Sequence, residues 1–250
     1  MCKEREIKLT NGFNFRDIGG YKTKNGVEIG WHKIVRGAYL SDLSIEDQYT
    51  LINYGIKNVI DLRSNEEVAK YPDKISKTIN YIRIPILAGN LPIGHYVAKE
   101  NGVDFMLKVY NLLVTEDQSK QAYNKVFNEL SNIDGCTLIH CSSGKDRTGV
   151  VIFLLLKLLG ICDDTIRNDY LLTNKQSALH INTRLNEAKI NCLGYEDMEN
   201  MFAMSVASSQ YYSHMVKTIR VNYGNLRTYL FSQLHLSQTL IKKLREKYLI

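Results

Sequence analysis

The residues with obvious chemistry concentrate in one segment, Thr137-Leu138-Ile139-His140-Cys141-Ser142-Ser143-Gly144-Lys145-Asp146-Arg147-Thr148-Gly149. Its start reads as a β-strand, and the apolar run Val150 to Leu159 beyond it reads as a buried helix. A loop passing from strand to helix can turn successive backbone N–H groups inward, making an anion nest. The helix N-terminus adds unsatisfied donors and partial positive charge at the same spot. Gly144 permits the tight, positive-φ backbone such a loop needs. Arg147 supplies a planar fork able to hold two oxygens of a phosphoryl group. The residues expected to cradle that group are Ser142, Ser143, Gly144 and Lys145, with the hydroxyl of Thr148 behind the arginine.

Cys141 stands at the mouth of this cradle. Donors that stabilise a phosphate dianion also stabilise a thiolate, which is the nucleophilic form of cysteine. A thiolate in van der Waals contact with a bound phosphorus is an in-line nucleophile, and the cradle then stabilises the equatorial oxygens of the transition state. With no proton left to remove from the cysteine, His140 is expected to orient the loop by hydrogen bonding rather than to act as a base.

Other uses of such a loop are weaker fits. Gly144-Lys145 has the look of a nucleotide-binding P-loop, but Asp146 stands where Ser or Thr is required and the spaced upstream glycine is absent. A sulfurtransferase or a reductase could place a cysteine in a curled anion-binding loop, yet the exit Arg147-Thr148-Gly149 favours phosphate transfer. The alternative from another class is a phosphate- or phosphoprotein-binding module that does not turn over. Such a module would be expected to have lost Cys141 or Arg147.

The elements that must position this loop are those of an α/β domain. Strands are expected at Ile34 to Arg36, Asn58 to Leu62, Tyr81 to Ile86 and Thr137 to His140; three are nearly all apolar, as in a mostly parallel sheet covered on both faces. Helices are expected at Ser44 to Tyr54, Asn65 to Tyr71, Val103 to Leu113 and Gln121 to Ile133, with Ser44 and Asp47 as a loose capping box. After Arg147 helical periodicity dominates, ending in a helix capped by Ser237. From about 175 to 209 the pattern is irregular and carries Met198, Met201, Phe202 and Met204. Two readings stand: a core between helices, or a helical lid over the active site.

At 250 residues the chain suits a single domain over residues 1–250 with an elaboration. Its 32 basic and 26 acidic residues give +6, but no dense basic tract stands out, so nucleic acid is not an expected partner. The cysteines, five in all, are scattered and odd in number, which argues against a disulfide framework and against a structural zinc site. No His/Asp cluster offers a metal coordination set, and neither metal nor cofactor is implied. The run Val150 to Leu159 is too short for a membrane span of about 20 residues and contains Lys157. The N-terminal residues lack a secretory apolar stretch, so a reducing cytoplasm is the expected location unless a signal sequence has been removed.

The loop resembles the Cys-x5-Arg signature of the protein-tyrosine and dual-specificity phosphatase superfamily, with His140, Gly144 and Thr148 in matching places. Further resemblance lies in Phe15-Arg16-Asp17-Ile18-Gly19-Gly20-Tyr21, Arg36-Gly37, Ile60-Asp61-Leu62-Arg63-Ser64 with Glu66, Asp169-Tyr170-Leu171-Leu172, and Tyr223-Gly224-Asn225 through Leu249. Together these are similar to the atypical bacterial branch of the superfamily, some of whose members are exported by pathogens and act on phosphotyrosine and phosphoinositides. The resemblance implies a phosphatase working through a phosphocysteine, with a phosphoprotein or phosphoinositide as substrate. It also implies that Asp146 is the general acid, since Leu87-Ala88-Gly89-Asn90 after the third strand has no carboxylate; Asp104 is the alternative. Lys145 is associated in the lipid-active relatives with phosphate-rich head groups, as a second anion subsite; a solvated lysine is the competing reading. Asp61 and Arg63 either line the cleft or form a supporting ion pair, the latter being preferred. Asp17 and Asp169 are read as structural, and Cys136 as a strand-edge cysteine rather than a disulfide partner of Cys141.

Overall fold

The computed structural model describes residues 4–87, 101–191 and 194–250. Five strands form the sheet: β1 (Arg16–Asp17), β2 (Ile34–Gly37), β3 (Ile56–Asp61), β4 (Asn80–Arg83) and β5 (Cys136–His140). Their spatial order is β1-β2-β5-β3-β4, with β1 antiparallel to β2 and every other pair parallel. The last strand in sequence therefore lies at the centre, between β2 and β3. The register puts Gly37, His140 and Asp61 side by side at the carboxyl edge of the three strands. In parallel α/β sheets this edge is where ligands bind.

Alternation along β5 divides the core. Cys136 and Leu138 face one apolar cluster with Phe15, Val35, Leu51 and Val59, whereas Ile139 and Cys141 face the larger cluster on the other side. Cys136 and Cys141 thus belong to opposite faces of the sheet, consistent with Cys136 as a buried strand residue, and burial pushes its thiol up to about 12.

The smaller cluster is covered by α1 (Ile45–Tyr54), which starts with a full capping box between Ser44 and Asp47 and ends at Gly55 in the left-handed conformation. A second capping box, Ser64 with Glu67, starts α2 (Asn65–Lys70). The larger cluster is built on α3 (Gly102–Thr115), α4 (Asp117–Asn132) and α5 (Asp146–Leu159), the last buried along nearly its whole length. Beyond lie α6 (Asp163–Gln176), α7 (Ala178–Ile190), α8 (Tyr195–Ser205) and α9 (Ser209–Tyr223). The short α10 (Leu226–Thr228) runs into a π-helical turn at Tyr229–Gln233, and α11 (Gln238–Tyr248) closes the chain, capped by Ser237.

The irregular stretch near 175–209 is thus helical, as α7 and α8. Its methionine patch is not closed core: Met198, Met201 and Met204 are half-buried and Phe202 is exposed, because α7 and α8 lie on the outside with one face each turned inward. Close packing holds α8 on α3, where Asn200 Oδ1 accepts from the Gly102 amide at 2.6 Å. No described helix is long and apolar enough to cross a membrane.

Candidate active site

The strand β5 delivers His140 to the carboxyl edge, and the chain then curls through Cys141–Lys145 before α5 begins at Asp146. The loop is held open by its carbonyls. His140 Nδ1 lies 3.2 Å from the oxygen of Cys141, and the Tyr39 amide donates to Ser142 O at 3.0 Å. Asn14 Nδ2 donates to Ser143 O at 2.9 Å, and Arg36 Nη2 to Gly144 O at 2.7 Å. Four consecutive carbonyls are therefore bound by the surrounding framework. Among the described residues no protein acceptor takes the N–H groups of Ser142 through Arg147. Free amides at a helix N-terminus are suited to an anion.

Gly144 is required in a strict sense. Its φ is +66°, and a Cβ there would fall 2.2 Å from the carbonyl oxygen of Gly37. Loop and strand β2 touch backbone to backbone.

Arg147 is buried, and its end is held by Glu67: Nη1 donates to Oε2 at 2.6 Å and Nη2 to Oε1 at 2.7 Å. Ser142 Oγ also donates to Glu67 Oε1, and Arg147 Nη2 reaches Ser142 Oγ at 3.2 Å. Burial would raise the Glu67 carboxyl, but Arg147, Ser142 and the Ser64 amide outweigh it and hold it down to about 2. Glu67 thus fixes the plane of the guanidinium. The sequence reading singled out its neighbour Glu66, which is exposed. The available signal was the Ser64-x-x-Glu67 capping box, which turns Glu67 back toward the start of α2.

A second frame supports the loop from behind. Asp169 on α6 takes Arg16 Nε at 3.0 Å and Arg36 Nη1 at 2.6 Å, while Tyr21 donates to it at 3.0 Å. Arg16 also binds Asn14 Oδ1, and Gln176 Oε1 at 3.1 Å. Asn14 and Arg36, which hold the carbonyls of Ser143 and Gly144, are thereby fixed by buried polar contacts. Asp17 serves the turn before β2, accepting from Gly19 N, His32 N and Tyr54 Oη.

Asp61 and Arg63 do form an ion pair, and it is larger than a pair. Arg63 Nη2 lies 2.9 Å from Asp61 and 2.6 Å from Asp73, and His140 Nε2 lies 3.1 Å from Asp73. Tyr81 Oη donates to Asp61 at 2.5 Å. Burial acts to raise the Asp61 carboxyl, but His140, Arg63 and Tyr81 prevail and bring it to about 2. Asp61, Asp73 and His140 come close enough together to suggest a cation site. Arg63 Nη2 already lies within hydrogen-bond distance of both carboxylates and supplies a positive charge there. The cluster surrounds the His140 ring, one residue before Cys141.

Asp146 opens α5 with its side chain partly exposed at the loop, and its Oδ1 accepts from Tyr110 Oη at 2.8 Å. Asp104 lies exposed in the first turn of α3. Residues 88–90 of the segment after β4 are outside the described residues. Lys145 is neither solvated nor facing outward: it is buried, and its Nζ donates to Met204 O at 2.8 Å and Val206 O at 3.1 Å at the end of α8. The Thr148 hydroxyl is buried without a protein partner among the described residues. Phe13, next to Asn14, stacks on His180 of α7 at 3.9 Å and meets the ring of Tyr39, whose amide binds the loop, edge-on.

Comparison with known proteins agrees with this geometry. A family model described as the tyrosine phosphatase family matches residues 7–250. A Cupriavidus necator protein provisionally named a tyrosine-protein phosphatase is 26% identical over 242 residues, covering 94% of this chain and 85% of that protein. The triple specificity protein phosphatase PtpB of Mycobacterium tuberculosis is 26% identical over 276 residues, covering 95% and 97%. A tyrosine-protein phosphatase of Nostoc commune is 31% identical over 140 residues, 54% of this chain and 46% of its own. With the family match spanning almost the whole length, the chain belongs to the tyrosine phosphatase family and is a cysteine-dependent phosphatase.

Proposed function

We propose that Cys141, Arg147 and Asp146 carry out phosphomonoester hydrolysis in two displacements. The observation that carries this is the set of bound carbonyls from Cys141 to Gly144, which leaves the loop amides free to surround a phosphoryl group at the cysteine. In the first step the Cys141 thiolate attacks phosphorus, an S–P bond forms and the P–O ester bond breaks. Asp146 passes its proton to the leaving oxygen. In the second step water attacks phosphorus, Asp146 takes a proton from it, and the S–P bond breaks to release phosphate and the thiolate. The amides of Ser142 through Lys145 and the Arg147 guanidinium stabilise the equatorial oxygens throughout.

The substrate class we favour is a phosphoprotein. The aromatic wall of Phe13 and Tyr39 beside the loop supports an aryl phosphate, and the name of the mycobacterial relative supports a range of phosphorylated residues. A phosphoinositide is the second reading, resting on Lys145. Its ammonium now holds two carbonyls at the end of α8, so a second phosphate must displace them. The pair α7–α8 acts as a lid in this reading, latched by Lys145 and by Phe13 on His180. A reducing compartment such as the cytoplasm suits the thiolate. Phosphate release measured in parallel on phosphotyrosine, phosphoserine and phosphothreonine peptides and on inositol phospholipids tests the substrate. Faster turnover of the lipids than of every peptide overturns the phosphoprotein reading, and no release from any substrate overturns both.

A further inference from the structure

Asp146 has two carboxylate oxygens, and the protein treats them differently. Oδ1 accepts from Tyr110 Oη at 2.8 Å and faces Lys145 Nζ at 3.2 Å. Tyr110 is itself buried on α3, and its oxygen lies 2.7 Å from Tyr170 Oη on α6. Tyr211 on α9 stacks on the Tyr110 ring, centroids 5.8 Å apart and planes inclined by 22°.

The direction of this chain of hydrogen bonds follows from its acceptors. Burial, then the nearby charge of Asp146, keeps the Tyr110 and Tyr170 phenols neutral. Tyr110 therefore has one proton to give. Asp146 Oδ1 carries none in the ionised carboxylate, or in the acid protonated on its other oxygen, so the Tyr110 proton points there. Tyr170 then donates to Tyr110. Every member of the chain points toward Asp146, and linked bonds of this kind strengthen one another.

We propose that Tyr110 is a positioning residue for the acid–base step: it fixes Oδ1 of Asp146 so that Oδ2 alone carries the transferred proton toward the leaving group. Tyr170 orients Tyr110 in turn. The neighbouring residue, Asp169, braces Arg36 and through it Gly144 O, so consecutive residues of α6 support the nest and the acid separately. The charged and titratable groups facing Asp146 are Lys145 and Arg147 from the loop, Tyr110 from α3, Tyr170 from α6 and Tyr211 from α9.

This rests on Asp146 as the general acid, and the experiment separates the two. The pH dependence of kcat/KM is measured for Tyr110→Phe, Tyr170→Phe and Asp146→Asn on an activated aryl phosphate and on an alkyl phosphate. Asp146→Asn is expected to lose the basic limb. Tyr110→Phe removes a donor to the carboxylate, so its basic limb moves up by about one pH unit. Its loss on the alkyl phosphate is expected to exceed that on the aryl phosphate by about ten-fold, because a poor leaving group needs the aligned proton more. Tyr170→Phe moves the limb the same way by less, and carries the test should Tyr110→Phe fail to fold. A wild-type limb and leaving-group dependence in both tyrosine variants, beside a lost limb in Asp146→Asn, overturns the positioning role while the acid stands. A wild-type limb in Asp146→Asn overturns the acid and the positioning role with it.

Discussion

Glu67 and Arg147 meet end to end, Oε2 to Nη1 at 2.6 Å and Oε1 to Nη2 at 2.7 Å, and this pair fixes the orientation of the guanidinium. Replacing Glu67 with Gln leaves one acceptor oxygen where there were two and strips the charge from a buried partner. Charge-assisted hydrogen bonds contribute on the order of 1.5–3 kcal/mol, so kcat/KM on an aryl phosphate should fall by about ten- to a hundred-fold. Steady-state kinetics beside vanadate binding checks this, and vanadate binding should weaken in parallel.

The same pair sets a pH window. Glu67 and Asp61 are both held down to about 2 in the folded protein. Unfolded carboxylates titrate near pH 4, so this stabilisation is complete above about pH 4.5 and is lost as pH falls toward 2. Denaturant unfolding across that range should show stability dropping steeply with acid, and less steeply in Glu67→Gln.

Asp169 pairs with two buried arginines at once. Asp169→Asn leaves Arg16 and Arg36 without a charged partner in the interior, a change that costs about 3–5 kcal/mol. The midpoint of denaturation should fall accordingly. Phosphate affinity should fall as well, because Arg36 holds the carbonyl of Gly144.

Gly144→Ala should be inactive for a geometric reason. The added methyl lands 2.2 Å from Gly37 O at a positive φ, and backbone on both sides leaves nothing flexible to give. A displacement of about 1 Å at the nest costs on the order of a hundred-fold in rate. Turnover and inorganic phosphate binding both report it.

The strand-to-helix curl around Cys141 was legible in the sequence because its parts are contiguous: a strand, Cys141, Gly144, Arg147 and an apolar helix follow one another. The strands β2, β3 and β5 were legible for the same reason, each being a short apolar run. Glu67 was not, although its capping box with Ser64 was visible, since nothing local says that its carboxylate reaches a residue 80 positions away. Tyr110 and Asn14 are harder still. Their contacts with Asp146 and Ser143 cross 36 and 129 positions and leave no periodic trace. The burial of Lys145 was not legible, because two of its partners are backbone carbonyls at the end of α8, which any side chains could supply.

Acid quenching of turnover followed by mass analysis of the Cys141 peptide asks whether phosphate passes through sulfur. The expected result is a phosphoryl group on Cys141 during turnover, absent from Cys141→Ser, which should still bind vanadate. Sustained phosphate release by Cys141→Ser, or a phosphoryl group found on another residue, would contradict it.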